Sequence, residues 1–161
     1  YQSQLSVIVQ KNLTDLPIIL GVLAALEGLG ATFGTLLIAN FPFKRGIMIF
    51  LSGSFLFGFC IMAFAFSQSL SISIILMILG GFGMAGFGTL QSILIISSAD
   101  QKIRGRVLGI LAITIGTQPI GAFLLGYFSR EYGSVIALKY SVLFAMILLT
   151  IVTLLQFRKK N

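Results

Sequence analysis

Five stretches of about twenty residues or more, each nearly free of charge, constrain this chain more than any other feature. Ile18 to Ala39 carries a single charge, Glu27. Ile47 to Phe66, Ile72 to Ile96 and Val107 to Phe128 carry none, and Leu138 to Phe157 has Lys139 at its edge. A hydrocarbon core of about 30 Å is crossed by roughly 20 helical residues rising about 1.5 Å each. The runs are continuous and do not alternate every second residue, so they do not read as strands of a membrane barrel. The fold class is therefore all-α: a polytopic transmembrane helix bundle.

Composition agrees. Of 161 residues 57% are apolar and only 9% charged, whereas a soluble domain carries about 25% charged residues. Fifteen phenylalanines argue against disorder, and the eighteen glycines have no collagen-like period. There is no histidine and one cysteine, which removes His- or Cys-based metal sites, disulfide frameworks and a Ser-His-Asp triad within these residues. Glu27 is the only acid inside the spans, so the chain is not expected to be an enzyme, and no cofactor or metal is expected. The net charge of +7 is not read as nucleic-acid binding. The basic residues sit between apolar runs and form no continuous stripe.

Orientation follows from the connecting loops. Counting alternate sides, one holds Lys44, Arg45, Lys102, Arg104, Arg106, Arg158, Lys159 and Lys160, and the other holds Lys11, Arg130 and Lys139. Eight against three puts the first group in the cytoplasm, with the C-terminus inside. Tyr127, Phe128, Tyr132 and Tyr140 then fall near the outer boundary, where interfacial aromatics belong. Leu5, Val7, Ile8 and Val9 are too few to span, Lys11 to Asp15 reads as a polar loop, and no signal peptide is apparent. The chain is expected to be a fragment preceded by at least one more helix.

A carboxylate at mid-membrane is costly and usually faces a bundle interior or a cavity. Glu27 lies about 15 Å deep, with Ala24, Gly30, Ala31 and Gly34 at helical spacing around it. Either a neighbouring helix or a ligand can approach closely there. Two readings stay open: a protonatable site that alternates between charged and neutral forms during transport, or a carboxylate kept neutral or paired with a basic residue outside this chain. Gln118 shares that depth, Thr114 and Ala122 extend its face, and Pro119 removes a backbone hydrogen bond and is expected to bend or loosen the helix. Gln118 reads equally as a substrate contact or an interhelical hydrogen bond, and Gln91, nearer the cytoplasmic end, reads rather as helix–helix glue. The second and fifth spans hold no acid or amide well inside the bilayer. That partition predicts two lipid-facing outer helices and three lining an interior.

The segment Ser98-Ala-Asp-Gln-Lys-Ile-Arg-Gly-Arg-Val-Leu-Gly109, followed by Gly116-Thr-Gln-Pro-Ile-Gly-Ala-Phe-Leu-Leu-Gly126, resembles the major facilitator superfamily, in particular its macrolide-efflux and enterobactin-exporter branch. Gly28 to Lys44, glycine-rich and ending in basic residues, is similar to that family's eighth helix and the loop after it. The resemblance implies that the five spans are the eighth to twelfth of twelve, that Tyr1 to about Val9 ends the seventh, and that the ninth and twelfth are peripheral. The loop Asn40 to Gly46 lacks the acid of the family's pattern.

The implied activity is secondary transport by alternating access, a proton-coupled exporter of drug-like or siderophore-like molecules in a bacterial inner membrane. Its partners would be the lipid bilayer, the missing N-terminal half, a small-molecule substrate and protons. Glu27, Gln118, Gln91 and Thr114 are the expected substrate or proton pathway. Asp100, Arg104, Arg106, Lys44 and Arg45 are the candidate cytoplasmic gate, because an arginine can pair with a carboxylate or cap helix-end carbonyls in one conformation and release them in another. The alternative is a non-transporting assembly or sensor protein on the same helices, in which Glu27 only locks the bundle.

Overall fold

A computed structural model describes residues 2–12, 17–40 and 46–158. Among the described residues seven helices follow one another: α1 Gln2–Asn12, α2 Pro17–Ala39, α3 Gly46–Phe66, α4 Leu70–Ser98, α5 Arg104–Gly116, α6 Gln118–Tyr132 and α7 Ser134–Arg158. Among the described residues there is no strand. Five segments of the described residues are long and apolar enough to cross a membrane: α2, α3, α4, α5 with α6, and α7. An all-helical chain satisfies every backbone group within its own segments, as a lipid environment demands. The protein is a multi-pass transmembrane bundle.

The observed helices overrun the expected spans. α4 begins at Leu70 and ends at Ser98, α5 begins at Arg104, and α7 begins at Ser134. Lys11 and Asn12, expected in a loop, belong to α1. Apolar runs mark the hydrocarbon core, whereas helices continue through polar cap turns on either side. At the start of α4 the Ser73 hydroxyl donates to Ser67 Oγ at 2.9 Å, and the Ser67 hydroxyl donates to the Ser69 carbonyl at 3.1 Å. Those bonds occupy polar groups of the short α3–α4 turn that lipid could not solvate.

α4 is the centre of the bundle. Of its most apolar stretch 39% is buried, against 6% for the α5–α6 span. Glycines allow this on two faces. A Cβ on Gly30 of α2 would collide with the Ile78 carbonyl of α4, and one on Gly81 of α4 would collide with the Glu27 carbonyl. On the other face a Cβ on Gly53 of α3 would stand 2.7 Å from the Gly83 carbonyl of α4. Backbones meet directly, so association rests on dense van der Waals contact where no hydrophobic drive exists between helices.

α7 packs along α3 and α6, and α1 leans on α2, α6 and α7. The Ser129 hydroxyl donates to Gln4 Oε1 at 2.6 Å, which ties α1 to α6. At the same end Lys139 Nζ lies 3.4 Å from the centre of the Phe66 ring, joining α7 to α3. Phe128 stacks on Tyr132, and Tyr127 and Tyr140 are exposed beside them.

Candidate transport cavity

The α5–α6 span is one apolar segment interrupted at Thr117. Pro119 has no N–H to give to the Ile115 carbonyl four residues back. Just before it, Thr117 N–H donates to the Ile113 carbonyl at 3.1 Å, and the Thr117 hydroxyl donates to the Thr114 carbonyl at 2.7 Å. The span then resumes as α6, with Pro119 in its first turn, where a missing N–H costs least.

This interruption borders a cavity of about 830 Å³ between α3, α4, α5 and α6. Gln91 enters it from α4, Thr114 from α5 and Gln118 from the first residue of α6. Three of the four expected pathway residues therefore meet in one space. The Thr114 hydroxyl donates to the Ile110 carbonyl of its own helix at 2.9 Å, which leaves its oxygen to accept from the cavity. Gln91 is half-buried and Gln118 exposed, so both amides retain donor and acceptor capacity toward whatever fills the cavity. Apolar groups complete the wall, notably Phe57, Met84, Phe87 and Leu125. Thr117, Phe57 and Met84 were not anticipated. Thr117 could have been, since it stands one turn after Thr114 on the same helical face.

Glu27 lies elsewhere. It is buried in the α2–α4 seam, in line with Leu23, Gly30 and Gly34 on one face of α2. The small residues around it admit a helix, α4, and it does not line the amide cavity. Within this chain α3 borders the cavity through Phe57, and no residue of α2 lines it. α3 packs along α4 as extensively as α2 does, because glycines line both faces of α4.

At the opposite end of α4, Arg104 Nε donates to the Ala99 carbonyl at 3.1 Å. The backbone carbonyl of Asp100 accepts from the N–H groups of Ile103 and Arg104 at 2.9 and 3.1 Å. The guanidinium thus closes the turn between α4 and α5 by capping a carbonyl at a helix C-terminus. Arg106 is exposed on the first turn of α5. Lys44 and Arg45 lie outside the described residues.

No curated protein and no solved structure matches the chain significantly. A family described as transmembrane secretion effector, within the major facilitator superfamily, matches residues 2–161. Nearly the whole sequence, its five spans and its apolar all-helical fold agree in this, and the chain belongs to the transmembrane secretion effector family of the major facilitator superfamily.

Proposed function

We propose that the chain is the C-terminal half of a proton-coupled exporter, which moves drug-like or siderophore-like molecules by alternating access across a bacterial inner membrane. The observation that carries this reading is the convergence of Gln91, Thr114 and Gln118 on one cavity from α4, α5 and α6. A transport site needs polar contacts to orient a solute and apolar walls to keep water out, and this cavity offers both. The sparsely buried α5–α6 span is the surface on which the missing N-terminal half closes the site.

Asp100, Arg104 and Arg106 act as the gate at the basic end, together with Lys44 and Arg45. The Arg104 bond to the Ala99 carbonyl is the contact that would break as the halves rock. Glu27 is the proton site, acting from the α2–α4 seam and not as a direct substrate contact. Its burial there also supports a second reading, a carboxylate that only locks two helices.

The test is proton-driven accumulation in proteoliposomes of the full-length protein, with a macrolide and a catecholate siderophore as probes. Glu27→Gln should abolish uphill transport while leaving probe binding and folded yield intact. Lower folded yield with normal flux per folded molecule would assign Glu27 to the bundle alone. Absence of substrate-dependent proton movement in the wild type would remove the transporter reading.

A further inference from the structure

We propose that the amide cavity opens past Phe57 and Phe87 into a second, apolar compartment that takes the hydrocarbon part of the same ligand, so that the portion of the ligand held by this chain is an uncharged amphipath. The proposal rests on the transport reading of the first cavity.

The compartment, about 380 Å³, lies between α3, α4, α6 and α7 and shares Phe57, Phe87 and Leu125 with the amide cavity. Among the described residues its side-chain hydroxyls are Ser54 and Ser141, and each donates to its own helix, Ser54 to the Phe50 carbonyl at 2.7 Å and Ser141 to the Ala137 carbonyl at 2.8 Å. With those protons engaged, a group entering the compartment gains from apolar burial and little else. The Phe50 ring, 5.7 Å from Phe87, supports the partition between the two spaces. Room exists because Gly58 has no side chain toward α7, where a Cβ would stand 3.1 Å from Met146 Cγ. The flexible thioether of Met146 can adjust to the shape of the occupant.

Charge argues in the same direction. No charged side chain lines either space among the described residues. A charged ligand group would lose its hydration without meeting a counter-charge there. An uncharged hydrogen-bonding head at Gln91 and Gln118 with an apolar tail beyond Phe87 satisfies both compartments.

The test uses the full-length protein in nanodiscs and a series of N-alkylbenzamides from ethyl to octyl as probes, with binding measured by calorimetry. In the wild type, affinity should rise about fourfold per added methylene until the compartment is full. Ala145→Phe fills the space from α7 and Ser54→Leu fills it independently from α3, so one suffices if the other fails to fold. Either should flatten the chain-length dependence, with N-ethylbenzamide, whose tail is too short to fill the compartment, affected least. Gln118→Leu should weaken every member by the same factor and keep the slope. Filled variants that retain the wild-type slope, with Gln118→Leu still weakening binding, would overturn the compartment and leave the amide cavity standing. No effect of Gln118→Leu on any member would overturn the shared ligand through failure of the amide cavity itself. Absence of binding across the whole series would overturn both.

Discussion

The backbone carbonyl of Glu27 lies against Gly81 where the first carbon of any side chain would have to stand. One acid of α2 and one glycine of α4 thereby fix how closely the two helices approach. The α2–α4 seam is thus a steric requirement, written in a residue that a hydropathy count treats as merely small.

Gly81→Ala should therefore force α2 and α4 apart. An overpacked contact against backbone costs about 1–3 kcal/mol, which should appear as a clear fall in the thermal midpoint of the purified protein. Gly88→Ala on the same helix meets nothing within 4 Å, and alanine is the better helix former by about 1 kcal/mol. It should leave stability unchanged or raise it. Equal effects of the two substitutions would contradict the seam.

Pro119→Ala restores an N–H to the Ile115 carbonyl. The interruption at Thr117 should close toward a continuous helix, with a gain below the about 3 kcal/mol that a proline costs in a helix interior, because Pro119 already stands in the first turn of α6. In the transport reading that gain accompanies slower turnover, because a span that must flex has been stiffened. Thermal unfolding together with initial transport rate reads both. Faster turnover with no gain in stability would show that the interruption has another cause.

Lys139 and Phe66 should be energetically coupled. A cation held 3.4 Å above an aromatic face contributes about 0.5–1 kcal/mol at an accessible site. A double-mutant cycle with Lys139→Met and Phe66→Leu should return a coupling of that size. Additive effects of the two changes would show that α3 and α7 are joined there by shape alone.

The membrane spans were legible because the bilayer leaves so few choices: a charge-free run such as Ile47 to Phe66 has one stable solution in lipid. Glu27 stands near the middle of α2 and Gln118 near the middle of the α5–α6 span, as a count of residues along each run gives. What each residue faces does not follow from such a count. Small residues around Glu27 signalled a close approach, yet only Gly81 on a helix distant in sequence decided that the neighbour was α4 and not a cavity. Gln91, read from the sequence rather as helix–helix glue, borders the cavity together with Thr114 and Gln118. Which space a side chain borders depends on packing across several helices, which no single helical period records. Phe57 was missed for the same reason, since an aromatic on a span without amides carries no local sign of the cavity it borders.

The central claim is that Gln91 and Gln118 hold the transported molecule from two helices. It is tested most directly by the concentration dependence of macrolide and catecholate accumulation in proteoliposomes, for the wild type and for Gln118→Leu and Gln91→Leu. Losing one neutral hydrogen bond to the ligand costs about 0.5–1.5 kcal/mol. The account therefore predicts a half-saturating concentration raised about two- to tenfold in each variant, with normal folded yield and near-normal flux at saturation. Wild-type concentration dependence in both variants would contradict it.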